Sequence, residues 1–319
     1  MMRDAILNFA KQFEYDPVIE NAVNLKPANK FVVCGMGGSH LAADLIKTLK
    51  PSLRILTHSD YSLPDADWMN TLLIISAYSG NTEEPLDAFA EGLAKHLPMA
   101  VVTVGGKLLE IAKQNSIPYI KLPNTGIQPR SALGFSTKAL LKLMSENGLQ
   151  KQASKLSKIL KPENSEPAGK ELAQKLSGKI PVIYSSAANN SLAYNWKIKL
   201  NETGKIPAFY NIFPELNHNE MTGFDVKERS KQLSKKIHFI FLRDSADHSK
   251  IQKRMEVTAS LYRARGLPVE ILELTGEDKM QRMFSCLILA DWFALYTAEQ
   301  YDFESEQVPM VEEFKKLIA

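Results

Sequence analysis

Short apolar runs recur along this chain, each followed by a turn and a helix-like stretch, and this alternation limits the possible folds more than any other feature. In the first half the runs are Phe31–Cys34 before GMGGSH, Leu72–Ile75 before AYSGNTEE, and Met99–Thr103 before a pair of glycines. In the second half they are Ile180–Tyr184 before SSAANN, Ile237–Leu242 before RDSADH, and Val269–Leu274. Continuous apolar strands separated by amphipathic helices imply parallel sheets, because helical crossovers cover both faces of such a sheet. The expected fold class is therefore α/β, with parallel β-sheets flanked by α-helices. A chain of 319 residues is long enough for two such cores. The Lys- and Ser-rich stretch 150–170 contains Pro162 and Pro167 and reads as a solvated helix running into a linker. It places the expected boundary between domains 1–152 and 153–319.

Composition narrows the function classes. With 45% hydrophobic and 24% charged residues the chain has the makeup of a folded globular protein, not of a disordered or disulfide-built one. Its 39 Lys and Arg against 36 Asp and Glu leave +3, too small an excess for a nucleic-acid partner, although it allows a local basic pocket for a small anion. The most apolar stretch, Met283–Tyr296, is broken by Asp291 and falls short of the roughly 20 residues of a membrane span. It reads as a buried helix, with no membrane partner. The N-terminal MMRDAILNFAKQFEYD lacks a long apolar region and a small-residue cleavage site, so a cytoplasmic address is expected. Cys34 and Cys286 lie in apolar surroundings and read as small buried hydrophobes. His58, His96, His238 and His248 show no metal-ligand spacing, so no metal site is expected. The Lys-rich stretch 227–236 reads as solvated surface.

Three turns of the first half could carry chemistry. Gly35-Met36-Gly37-Gly38-Ser39 lies between a strand and a helix, where backbone N–H groups and the Ser39 hydroxyl can meet an anion. The same glycines equally permit a tight turn, and the run is neither a Walker A loop nor a full dinucleotide fingerprint. His40 beside it could touch a ligand or be a surface residue at a helix start. Tyr78-Ser79-Gly80-Asn81-Thr82 ends the next strand, where open parallel sheets place ligands. Ser79 and Thr82 can donate to phosphate oxygens, and Thr82 also suits a helix N-cap. Pro129-Arg130-Ser131 puts a guanidinium on a stiffened loop, suited to an anion or to a surface position. In the second half, Glu202 and His218 would form a base and acid pair if the fold brought them together. The SSAANN turn parallels GMGGSH and suggests two related halves, but Ser, Ala and Asn make a weaker phosphate cradle.

Taken in order, GMGGSH, YSGNTEE, QPRSALG, LNETGKIPA and PELNHNE resemble the bifunctional phosphoglucose/phosphomannose isomerases of the sugar isomerase (SIS) superfamily, over about residues 30–225. The resemblance implies two SIS domains and a homodimer whose active sites draw on both subunits. It further implies that Gly37, Gly38, Ser39, Ser79 and Thr82 bind a sugar phosphate and that Arg130 steadies an enediolate. Glu202 would move a proton between C1 and C2, and His218, supplied by the neighbouring subunit, would open the sugar ring. The implied reaction interconverts glucose 6-phosphate and mannose 6-phosphate with fructose 6-phosphate, without cofactor.

Three departures from the family pattern bear on this expectation. Ala77 stands where the family usually has Ser, implying one phosphate donor fewer; Tyr296 stands near where some members place Lys; and YDFESEQVPMVEEF replaces the usual C-terminal connection. They keep open a second reading, a non-catalytic sugar-phosphate-binding regulator, since the fold also serves regulation. A glucosamine 6-phosphate synthase is disfavoured, because MMRDA offers no N-terminal cysteine nucleophile.

Overall fold

The computed structural model describes residues 1–318. Its chain divides into two compact units, one of residues Asn8–Leu160 and one made of Met1–Leu7 together with the residues from Lys161 onward. Helix α1 (Met2–Leu7) thus belongs to the second unit.

The first unit is built on five parallel strands, β1 (Lys30–Cys34), β2 (Arg54–His58), β3 (Thr71–Ser76), β4 (Met99–Thr103) and β5 (Tyr119–Lys121), in spatial order β2-β1-β3-β4-β5. Helices α2 (Leu41–Leu49), α3 (Glu83–Ala94), α4 (Gly106–Gln114), α5 (Leu133–Leu143) and α6 (Asn147–Ile159) complete it. The apolar runs at β1, β3 and β4 become the three central strands, and all six residues of β3 are buried. The edge strands β2 and β5 are not anticipated from sequence, because RILTH and YIK carry exposed or half-exposed polar residues instead of a continuous apolar run.

In the second unit, α7 (Glu166–Lys175) and α8 (Asn190–Glu202) flank β6 (Ile180–Ser186), followed by β7 (Phe209–Phe213) and the short helices α9 (Glu220–Gly223) and α10 (Lys231–Ser234). The chain continues through β8 (Ile237–Arg243), α11 (Ser249–Ala264), β9 (Val269–Glu273), α12 (Lys279–Gln300) and α13 (Pro309–Ile318). Its sheet is again wholly parallel, ordered β7-β6-β8-β9. The apolar run around Asp291 lies in α12, with Met283, Trp292, Phe293 and Leu295 buried. No helix of the described residues is long and apolar enough to cross a membrane.

The stretch expected to be a linker is packed structure. α6 runs through the anticipated boundary at 152/153, and the compact units divide after Leu160. Pro162 is buried at the start of a 3-10 turn, and its carbonyl accepts from Trp292 Nε1 at 2.8 Å. Pro167 sits in the first turn of α7, where a missing N–H costs nothing. The two prolines therefore start helical turns, and the segment between them is no spacer.

Candidate active site

Strand order locates the first site. Between β1 and β3 the chain reverses its direction of travel across the sheet, and in open parallel sheets the crevice beyond the carboxyl ends of the strands at that switch point receives ligands. The loops leaving β1 and β3 are GMGGS and AYSGNT, the two turns marked by the sequence.

Hydrogen bonds weld these turns together. Ser39, at the end of the 3-10 turn Gly37–Ser39, is buried; its Oγ accepts from the Tyr78 backbone N–H at 3.0 Å, and its carbonyl accepts from the Ser76 hydroxyl at 2.7 Å. Accepting through a lone pair leaves the Ser39 hydroxyl proton available to a ligand oxygen. Ser79 is exposed, its Oγ accepting from the Asn81 N–H at 3.3 Å, and Thr82 is half-buried at the N-cap position of α3 without a side-chain capping bond. Thr82 is thus the cap residue by position, and its hydroxyl is not committed to the cap.

Arg130 joins this group through the backbone. A Cβ on Gly38 would lie 2.8 Å from both the Arg130 nitrogen and the Pro129 carbonyl carbon, so glycine alone lets the Gly37–Ser39 turn seat against the QPRS turn. Arg130 is 1% exposed and forms part of a 3-10 turn, Pro129–Ser131. Gln12 clamps that turn from behind: its Nε2 donates to the Ser131 carbonyl at 2.7 Å, and its Oε1 accepts from the Gly134 N–H at 2.9 Å. Arg130 is therefore no surface cation. Gly80, at φ +73, packs where a Cβ would fall on the Gly105 carbonyl, fixing the second turn against the start of α4.

One expectation changes here. His40 is buried, not a surface residue, with Nδ1 2.7 Å from Asp44 Oδ2 one helical turn on. Ala77 is completely buried in the apolar cluster of Val32, Cys34, Leu73 and Ile75. Ala77 stands between β3 and Tyr78, and its methyl packs on that cluster without contributing a hydroxyl. Cys34 and Cys286 are buried as expected, and burial pushes both thiols up to about 12, which removes them as nucleophiles.

The second unit carries the other two candidates. Glu202 is the last residue of α8, half-buried. His218 follows the 3-10 turn Glu215–Asn217 beyond β7; its ring is exposed, and its N–H donates to the Glu215 carbonyl at 2.9 Å. Among the described residues no hydrogen bond or ion pair is seen between Glu202 and His218. They sit on separate elements, one at a helix end and one on a loop after an edge strand.

Sequence reasoning missed what fills the second switch point, between β6 and β8. The 3-10 turn Ala187–Asn189 matches Gly37–Ser39, and the loop from β8 to α11 matches that from β3 to α3, with His248 at the N-cap where Thr82 stands in the first unit. Carboxylates occupy this loop. Asp247 Oδ1 accepts from the Ser186 hydroxyl at 2.7 Å and from Asn189 Nδ2 at 3.3 Å, and Asp244 pairs with Arg282 at 3.1 Å. Burial, and then the charge of Asp244, hold the Asp247 carboxyl above its ordinary range. The acids were visible in RDSADH, but their convergence on Asn189 was not.

Comparison with known proteins agrees with this geometry. The model of the bacterial phospho-glucose isomerase C-terminal SIS domain matches residues 165–318. A bifunctional phosphoglucose/phosphomannose isomerase of Caldicellulosiruptor bescii is 34% identical, over 97% of this chain and 95% of its own. The chain belongs to the bifunctional phosphoglucose/phosphomannose isomerase family. The member from Aquifex aeolicus is 30% identical over 97% of this chain and 95% of its own. Among solved structures, the C-terminal domain of glucosamine-fructose-6-phosphate aminotransferase from Francisella tularensis superposes with a TM-score of 0.70 at 13% identity, covering 96% of this chain and 98% of that one. At that identity the likeness concerns the fold: two SIS domains, each a parallel sheet flanked by helices. In this chain the Gly37–Ser39 turn, the loop that follows β3 and the turn that carries Arg130 meet at one switch point of the first unit, around Ser39.

Proposed function

We propose that this isomerase interconverts glucose 6-phosphate and mannose 6-phosphate with fructose 6-phosphate by moving one proton between C1 and C2. The reading is carried by the first switch point, where Ser39 ties two small-residue turns together and Gly38 admits the backbone of Arg130. The names of the relatives agree with it.

In this proposal the phosphate is held by the Gly37 and Gly38 backbone N–H groups and by the hydroxyls of Ser39, Ser79 and Thr82. These are neutral donors suited to a dianion. His218 of the partner subunit protonates the ring oxygen as the C1–O bond breaks and the anomeric hydroxyl gives up its proton, leaving the open-chain aldehyde. The Glu202 carboxylate then takes the proton from C2, the electron pair forms the C1–C2 double bond, and Arg130 stabilises the negative enediolate oxygen. Transfer of the O2 hydroxyl proton to O1, with return of the carbon-bound proton to C1, yields the ketose. Because C2 becomes planar in the enediolate, glucose and mannose 6-phosphates share it, which accounts for two activities at one site.

The test is incubation of purified protein with fructose 6-phosphate, with glucose 6-phosphate and mannose 6-phosphate quantified separately. Both products should form, and Glu202→Gln should lower turnover by about 10²-fold or more, the usual contribution of a positioned base. Full turnover by Glu202→Gln overturns the assignment of the base. Neither product, from folded protein that the sugar phosphate still stabilises, would make the chain a sensor.

A further inference from the structure

The loop that carries His218 ends on a carboxylate with unusual partners. Glu220, at the first position of α9, accepts a hydrogen bond from the Tyr184 phenol through one oxygen and from the Asn211 side-chain amide through the other. Tyr184 lies in β6 and is completely buried, its ring packed against Phe213, Phe239 and Phe241 at centroid distances of 5.8, 5.3 and 5.3 Å. Asn211 lies in β7, paired to Tyr184 in register. Glu220 therefore ties the loop to the two strands whose carboxyl ends face it.

On the other side of His218, Asn217 Nδ2 donates to Thr258 Oγ1 at 2.9 Å, and Asn217 Oδ1 accepts from Arg254 at 3.3 Å, both on α11. Between the two anchors, Asn219 bridges back to Glu215 at 2.7 Å and caps the Glu220 N–H. The His218 ring itself is exposed, so its direction is set by the loop that holds it. A single carboxylate accepting two donors from the sheet fixes both position and rotation of the loop's C-terminal end, which one bond would not do.

We propose that Glu220 is a positioning residue for His218, holding the imidazole in the direction that ring opening needs. The inference rests on the isomerase reading above and on the role given there to His218. Burial pushes the Tyr184 phenol upward, so it remains a proton donor to Glu220 throughout the working pH range.

Ring opening can be measured apart from isomerisation, because opening and reclosing exchanges the α and β anomers of glucose 6-phosphate without any transfer between carbons. Exchange spectroscopy by NMR on the full-length protein reads that rate directly. Glu220→Ala should slow catalysed anomer exchange at least about tenfold with KM for glucose 6-phosphate little changed, as expected for lost orientation without lost binding. Glu220→Gln keeps an acceptor oxygen for one of the two donors and should recover part of the rate. His218→Ala should abolish the exchange. Should Glu220→Ala fail to fold, Asn211→Ala, on the edge strand outside the aromatic cluster, takes its place with a smaller loss. Wild-type exchange in Glu220→Ala, or in Asn211→Ala where that variant is the one tested, overturns the inference. Wild-type exchange in His218→Ala instead overturns the role of His218 in the underlying reading, so the two failures are distinguishable.

Discussion

Lys199 Nζ and Asp291 Oδ1 lie 2.5 Å apart in the interior of the second unit, with side chains 1% and 4% exposed, joining α8 to α12. Lys199 stands one turn before Glu202, so this pair fixes the end of the helix that carries the proposed base. Two buried charges are tolerated because each neutralises the other, and removing one takes the opposite charge away from its buried neighbour. Lys199→Met should lower stability to urea by about 3 to 5 kcal/mol, the cost of an uncompensated buried charge, while Lys199→Met with Asp291→Leu should recover most of it. Denaturant midpoints of the single and double variants decide the matter; a double variant as unstable as the single one would show that the pair is not what strands the charge.

Ala77 offers a test of where a hydroxyl would go. Its side chain is fully buried in an apolar cluster, so Ala77→Ser should leave KM for the sugar phosphate unchanged and lower stability by about 1 to 3 kcal/mol, the cost of an unsatisfied buried hydroxyl. Steady-state kinetics and a thermal melt measure both. A lower KM in the serine variant would restore the view that this position addresses the phosphate.

Gly38 tests the coupling between the phosphate turn and Arg130. A Cβ there meets the Pro129 and Arg130 backbone at 2.8 Å, and backbone cannot yield as a flexible side chain would. Gly38→Ala should raise KM for fructose 6-phosphate by at least about tenfold, equivalent to 1.4 kcal/mol of lost binding. Gly37 has open space around its missing Cβ and φ +49, so Gly37→Ala should act through backbone strain alone and cost about 1 kcal/mol of stability. Comparing the two variants in kinetics and melting separates steric displacement from strain.

What could be read from the sequence follows from how each strand is buried. β3 and β4 are buried along their whole length because both faces are covered, and a run such as TLLIIS, apolar through its middle, announces itself. β7, FYNIF, lies at an edge with Phe209 and Tyr210 exposed, and β2 is half-polar, so neither carries a period that sets it apart from loop. The phosphate turns were legible because small residues must follow a buried strand where a helix begins. The anchoring of the turn that carries Arg130, through the bond from Gln12 to the Ser131 carbonyl, was not, since it joins residues more than a hundred positions apart. The same holds for Glu220 and Tyr184, whose contact depends on β6 and β7 being neighbours in the sheet.

The second switch point makes stability depend on pH in a direction opposite to that of most carboxylates. Asp247 is held above its ordinary range in the folded protein by burial and by Asp244, so ionising it favours the unfolded chain. Below the unfolded value, near 3.8, both states hold the proton and the penalty vanishes. As pH rises from there through the folded value, the folded state must give up a proton it binds more tightly, and stability falls. Asp247→Asn keeps an oxygen to accept from Ser186 and Asn189 but cannot ionise. It should therefore be more stable than wild type at pH 7, with the gain shrinking as pH is lowered towards 4. Denaturation curves across that range measure the difference, and a gain independent of pH would mean that the carboxylate charge is not the cause.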